Sequence, residues 1–137
     1  MTLEQQVCSL EPARRLKELG VNQESYFAWH SAIPGVEKLD SRYLIGQYPG
    51  LTTYAAFTAS ELLHLLPGAI KTRHGSANLT YIRILSTQEH LFDYTYATPD
   101  IWDDTTAVGA QYESTNAANN LAFLLIYLIE NKLITLP

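Results

Sequence analysis

The chain has 137 residues, of which 47% are hydrophobic and 17% charged, and this composition excludes an intrinsically disordered protein. Its length predicts one globular domain over residues 1–137, large enough to bury a core without covalent cross-links. The formal net charge of −5 is concentrated in residues 92–137, which hold six acidic residues and one basic residue, and this excludes a broad nucleic-acid footprint.

The cysteine content and the N-terminus indicate the compartment. Cys8 is the single cysteine, so no disulfide can form within the chain, which fits the reducing cytoplasm. Residues 1–15 lack the basic start and the apolar run of a signal peptide. We therefore expect a cytoplasmic protein.

The first half of the chain predicts one helix followed by two strands. Ser9 is a good N-cap and Gly20 a good helix end, so they bound the helix. Residues 24–30 are dense in aromatic side chains and predict a strand. Residues 43–48 predict a second strand, and residues 51–57 predict an irregular or extended connector.

The middle of the chain predicts a short helix and a β-hairpin. Residues 58–61 form a capping box that begins the helix, and residues 67–68 (Pro-Gly) end it. Its predicted buried face consists of Leu62, Leu65 and Leu66. Residues 78–86 and 90–97 alternate apolar and polar side chains, which predicts two antiparallel strands.

The longest apolar run lies in residues 114–133 and predicts a C-terminal helix capped by Ser114 or Thr115. Its apolar side chains cover more than one face, so either a sheet packs around it or one side meets a second copy. The uninterrupted apolar part, residues 121–129, is too short to cross a bilayer. Together the elements predict an α+β two-layer domain, in which a mostly antiparallel sheet is packed by this long helix, the N-terminal helix and the short middle helix.

Motifs of catalysis and metal binding are missing from the sequence. The four histidines have no metal-ligand spacing, and no phosphate-binding glycine loop or nucleophile elbow is present. Cys8 paired with a histidine, or an acidic loop binding a cation, is the enzymatic alternative. The acidic loop around Trp102 lacks the glycine and glutamate of a calcium loop. We predict neither an enzyme, a metal site nor a cofactor.

Two groups of residues are candidates for binding. The basic and small polar turn at residues 71–78, with the strand after it, predicts an anion site made of Arg73, His74, Ser76, Asn78 and Arg83. Aromatic and acidic side chains predict a protein-interaction surface made of Tyr26, Trp29, Tyr43, Tyr48, Trp102, Asp103 and Asp104.

Three blocks of the sequence resemble small hypothetical proteins of phage and prophage genomes. They are VCSLEPARRLKELGVNQESYFAW (residues 7–29), YAAFTASELLHLLPGAI (residues 54–70) and NLAFLLIYLIENKLI (residues 120–134). The resemblance implies a phage or prophage origin and hence a bacterial host cytoplasm, and it carries no catalytic residue. Small phage proteins of this kind often block a host factor, including defence components, which is an analogy.

These observations predict a non-enzymatic phage accessory protein that binds a bacterial host protein. The alternative is a small-molecule binder that sequesters an anionic, nucleotide-like ligand. The wide apolar helix leaves a homodimer open, and no membrane partner is expected.

Overall fold

The computed structural model describes residues 2–73, 75–84, 89–96 and 115–136. A 3₁₀ turn at Leu3–Gln5 is followed by helices and strands in the order α1 Leu10–Glu18, β1 Phe27–Ile33, β2 Val36–Ser41, α2 Arg42–Ile45, β3 Thr52–Ala55, α3 Ala59–Leu65, β4 Ala69–Thr72, β5 Gly75–Ile84, β6 Glu89–Tyr96 and α4 Ala117–Glu130. The predicted α+β class is confirmed.

The strands form two antiparallel sheets of three strands each, in the orders β2-β1-β3 and β4-β5-β6. Short turns join β1 to β2 and β4 to β5, as expected of antiparallel neighbours. The antiparallel pairing predicted for residues 78–86 and 90–97 is found between β5 and β6, where Tyr81 lies opposite Phe92.

The apolar helix α4 lies in the core, where it contacts α1, α3 and β6. Its leucines 121, 124, 125 and 128 are at most 2% exposed, which confirms the expectation that this helix is packed on several sides. Side chains of both sheets and of the helices α1 and α3 join it in one apolar cluster. Over the described ranges, no helix is long and apolar enough to cross a membrane.

Local signals explain where the helices begin and end. Gly20 has a φ of 88° and, as predicted, ends α1, because the next amide can then reach the Leu16 carbonyl at 3.0 Å. The predicted capping box of Thr58 and Glu61 begins α3. The cap of α4 is Asn116, whose side chain accepts a hydrogen bond from the Asn119 amide, and not Ser114 or Thr115.

Two other expectations from the sequence are wrong, and a third is made more specific. Residues 43–48 were expected to form a strand, but Arg42–Ile45 is a helix, because the Ser41 hydroxyl accepts the Leu44 amide and caps it. Residues 51–57 were expected to be an irregular or extended connector, and their extended part Thr52–Ala55 pairs with β1 as β3. Leu65 was expected to be buried and is 38% exposed, because α3 turns this position towards solvent.

Candidate functional site

Three of the aromatic residues predicted to form an interaction surface lie on the surface of the first sheet and of the segment after it. Tyr26 is 73% exposed, Tyr43 is 83% exposed and Tyr48 is 61% exposed. Tyr26 directly precedes β1, Tyr43 lies on α2, and Tyr48 lies in the turn that leads to β3. Exposed aromatic side chains of this kind are favoured in protein interfaces.

Among the remaining members of the predicted interaction surface, one is partly buried and three lie outside the described residues. Trp29 is partly buried against the core, and its indole N–H donates to the Cys8 carbonyl at 3.0 Å. A buried tryptophan normally satisfies its N–H in this way, so Trp29 has a structural role. Trp102, Asp103 and Asp104 lie outside the described residues.

Tyr26 stands at the edge of an open cleft of about 670 Å³. We call it the Tyr26 cleft; it is lined by Asn22, Glu24, Ser25, Tyr26, Phe57, Ser60, Glu61, His64 and Leu65. The lining combines apolar side chains with two carboxylates, and it includes no lysine or arginine. This cleft therefore suits an apolar or cationic group better than an anion.

Glu61 fixes the base of the Tyr26 cleft. One carboxylate oxygen accepts the Tyr26 amide at 2.8 Å, and the other accepts the Thr58 amide at 2.7 Å and the Thr58 hydroxyl at 2.9 Å. The same carboxylate thus caps α3 and anchors the residue that precedes β1. Because three donors hold it, Glu61 is a rigid part of the cleft.

Arg42 lies beside the Tyr26 cleft, next to Ser25 and Glu61, and was not singled out from the sequence. Its guanidinium donates to the Gln23 carbonyl at 2.6 Å, and to the hydroxyls of Thr53 at 3.3 Å and Ser25 at 3.4 Å. Burial lowers the pKa of Arg42 from its usual value, and the nearby Glu61 carboxylate opposes that shift. Its partners come from two separate segments, the stretch before β1 and the strand β3, so no local spacing in the sequence could indicate them.

His64 has the only imidazole that lines the Tyr26 cleft. Its Nδ1 lies 2.7 Å from the Ser60 carbonyl. A carbonyl can only accept, so Nδ1 carries a proton and Nε2 remains available as an acceptor when the ring is neutral. In the described part of the chain, no carboxylate orients this ring as it would orient a catalytic base.

Cys8, the candidate nucleophile, is completely buried. Its thiol approaches the Ala55 carbonyl at 4.0 Å, and burial raises the pKa of Cys8 to about 12. A thiol that stays protonated at neutral pH is a poor nucleophile. Across the described ranges, no group of three histidine, cysteine, aspartate or glutamate residues is arranged to hold a metal ion.

The structure does not bring the predicted anion-site residues together. Arg73 is exposed in the turn between β4 and β5, and Ser76 and Asn78 are exposed at the start of β5. Arg83 lies seven residues beyond Ser76 on the same strand, roughly 23 Å away at the rise of an extended chain. His74 and the side chain of Arg83 lie outside the described structure. An anion at the turn would therefore be held without Arg83.

A second, smaller depression lies on the first sheet and has a volume of about 340 Å³. We call it the hairpin cleft; it is lined by His30, Ala32, Ile33, Val36, Lys38, Tyr48 and Leu51. Its exposed apolar side chains include Ile33 at 65% and Val36 at 56%. The Nε2–H group of His30 donates to the Asp40 carboxylate at 2.7 Å.

Three asparagines at the start of α4 were also missed from the sequence. Asn116 donates to the Val7 carbonyl at 2.9 Å. Asn119 accepts the Ser9 amide at 2.6 Å and donates to the Ser9 hydroxyl at 2.8 Å. Asn120, which is 1% exposed, accepts the amide of Phe92 at 2.8 Å. They join the N-terminal segment and β6 to the core helix.

Comparison of the chain with known protein families, with curated proteins and with solved structures finds no match.

Proposed function

We propose that this protein acts by binding another protein, without catalysing a reaction, and that the Tyr26 cleft receives a basic segment of the partner. The supporting observation is the composition of the cleft: an exposed tyrosine and the carboxylates of Glu24 and Glu61, with no basic side chain in the lining. The cleft is open to solvent, as protein-binding surfaces commonly are.

A basic side chain suits this lining for two reasons. A guanidinium or ammonium group of the partner would be attracted by the carboxylates of Glu24 and Glu61. The exposed ring of Tyr26 offers a face for a cation–π contact, which is stronger for arginine than for lysine in most settings.

Rigidity also supports binding at this place. The Tyr26 amide is fixed by Glu61, and Glu61 is fixed by Thr58, so the backbone of the cleft is ordered before a partner arrives. A surface that is already ordered loses less conformational entropy when it binds. The tyrosine side chain adds a large contact area with only two rotatable bonds.

The resemblance to phage and prophage proteins supports a bacterial host factor as the partner. The net charge of −5 favours a partner of opposite sign. The alternative, an anionic nucleotide-like ligand, is supported less well, because the carboxylates of the Tyr26 cleft repel a phosphate and Arg73 and Arg83 are far apart along the chain.

The test is capture of a partner from a bacterial lysate, followed by calorimetric titration of the purified partner against the wild type and three variants. Glu24→Lys and Tyr26→Ala should each weaken binding about tenfold or more. Glu4→Lys, a charge change of equal size at an exposed residue outside the cleft, should leave binding unchanged. Equal affinity of all four proteins for the partner would exclude the Tyr26 cleft as the binding site.

A thermal-shift series with nucleotides tests the alternative. Stabilisation that increases with nucleotide concentration, and that Arg73→Ala abolishes, would favour the small-ligand function over the proposed one.

A further inference from the structure

Side chains seal two of the four sheet edges in the described structure. On β3, the Lys17 ammonium donates to the Thr53 carbonyl at 2.8 Å, and the Gln23 side chain accepts the Ala55 amide at 2.9 Å. On β6, Asn120 accepts the amide of Phe92 at 2.8 Å. These backbone groups would otherwise remain available to another strand.

The edge of β2 is not sealed in this way. The Arg42 amide donates to the Tyr26 carbonyl at 2.9 Å. This bond determines which residues of β2 bond to β1, because the bonded and non-bonded pairs of an antiparallel ladder alternate. Lys38 and Asp40 therefore direct their backbone groups towards β1, whereas Leu39 and Ser41 direct theirs outwards. In the described part of the chain, no hydrogen bond to the outward backbone groups of Leu39 is found.

β4 also has an open edge, but it is a weaker template for pairing. It has four residues against the six of β2, and its one charged side chain is Lys71. An edge lysine that lacks an acidic neighbour on its strand opposes self-pairing, because two such edges repel each other. The strand β2, in contrast, carries both signs of charge.

We propose that β2 pairs antiparallel with β2 of a second copy around a two-fold axis perpendicular to the sheet, with Leu39 opposite Leu39. Such an axis maps each sheet face onto itself, so two residues that lie opposite each other must have their side chains on the same face. The pairing must therefore be centred on one residue that lies opposite its own copy. The outward backbone groups of Leu39 make it a suitable centre, because two copies can then exchange hydrogen bonds there.

The charges of β2 agree with this register. Centring on Leu39 places Lys38 of each copy opposite Asp40 of the other, on the same sheet face, so that two ion pairs form. Centring on Lys38 would instead place two lysines opposite each other. Lys38 is exposed and has no bonded partner among the described residues, whereas Glu37 is bonded to Arg14. The unpaired lysine thus gains a partner in the dimer.

The exposed apolar side chains at the two ends of β2 agree as well. Ile33 and Val36 lie at the hairpin end, and Tyr43 and Leu44 follow the other end. Antiparallel pairing places the hairpin end of one copy beside α2 of the other, so the apolar groups of the two ends meet. The hairpin cleft would then be covered in the dimer by the second copy.

Sedimentation equilibrium of the full chain tests this proposal, which does not depend on the Tyr26 cleft. The wild type should dimerise. Lys38→Glu and Asp40→Lys should each weaken self-association by about tenfold, because each variant places like charges opposite each other. An equimolar mixture of the two variants should associate again, since Glu at position 38 then faces Lys at position 40.

Circular dichroism must show that both variants are folded, because Asp40→Lys also removes the contact with His30. Recovery in the mixture is the decisive result, since a misfolded variant would not regain association. A monomeric wild type would overturn the proposal, as would a dimer that responds to neither charge reversal. A wild type that stays monomeric but adds a strand from an extended peptide would also overturn it, in favour of a heterologous partner.

Discussion

The two hydrogen bonds between Asn119 and Ser9 offer the sharpest test of how the N-terminal segment is held. The Asn119 side chain accepts the Ser9 amide at 2.6 Å and donates to the Ser9 hydroxyl at 2.8 Å. Ser9 begins α1 but makes no side-chain capping bond of its own, because its hydroxyl contacts Asn119. Asn119→Ala removes both bonds and leaves the partly buried Ser9 amide without its acceptor.

The expected loss of stability follows from the number of hydrogen bonds removed and from the Ser9 amide that is left without an acceptor. An intramolecular hydrogen bond contributes about 0.5–1.5 kcal/mol net, so two of them predict that Asn119→Ala lowers the free energy of unfolding by about 1–3 kcal/mol. Asn119→Asp is the matched control. Its carboxylate still accepts the Ser9 amide, and the Ser9 hydroxyl can rotate to donate to the second oxygen. It should therefore lose less than about 1 kcal/mol.

Urea denaturation followed by circular dichroism measures both variants, with the denaturant slope checked for constancy. A double-mutant cycle with Ser9→Ala isolates the side-chain pair from the amide bond. The reasoning is refuted if Asn119→Ala loses less than about 0.5 kcal/mol, or if Asn119→Asp loses as much as Asn119→Ala.

Four further predictions follow from single positions. Leu125→Ala, at a residue 1% exposed, should destabilise by about 2–5 kcal/mol in denaturant titration; a loss below about 1 kcal/mol would contradict its core position. Lys132→Gly should stabilise by about 0.5–1 kcal/mol, because Lys132 has a φ of 56° just beyond α4; unchanged stability would refute this. Burial raises the pKa of Cys8 from 9.0 to about 12. The stabilisation that the buried, neutral thiol gives to the fold is therefore complete below pH 9 and is lost as pH rises towards 12. Between pH 8 and pH 10 the wild type should lose about 1 kcal/mol more stability than Cys8→Ala, and equal losses would mean that the thiol is not buried in solution. Glu61→Gln should speed hydrogen exchange of the Tyr26 amide, because an amide group replaces one accepting oxygen; an unchanged exchange rate would contradict the anchoring role of Glu61.

Signals confined to one segment of the chain predicted the fold best. Three such features could be recognised in the sequence, because each depends on residues within one or two helical turns. They are the capping box at Thr58 and Glu61, the helix end at Gly20 and the wide apolar face of α4. The alternation in residues 78–86 predicted β5 for the same reason.

Elements with weak local signals were predicted wrongly or incompletely. Residues 42–45 contain tyrosine, leucine and isoleucine, which suit a strand as well as a helix, and the Ser41 cap decides between them. Residues 52–55 are too short to show an alternation, and they become a strand because β1 supplies a partner. For both segments, context outside the segment determines the structure.

The candidate site depends on contacts between segments that are distant in the sequence. The sequence grouped three aromatic residues that are exposed with Trp29, which is packed against the core, and it could not separate the two kinds. Arg42 was missed, because its hydrogen bonds reach two segments that are distant from it in the sequence. Residues that organise a site through several remote partners carry no periodic or spacing signal.

Glu61 makes one contact that the sequence predicts and one that it does not. The capping box correctly predicts the hydrogen-bond partner of one carboxylate oxygen, since a glutamate at the third helical position reaches back to the cap. The second oxygen accepts the Tyr26 amide, 35 residues away in sequence, and this bond places the exposed tyrosine beside α3. A local stabilising motif thus becomes the anchor of the Tyr26 cleft, because the half of the carboxylate that the helix does not use is free to hold the chain before β1.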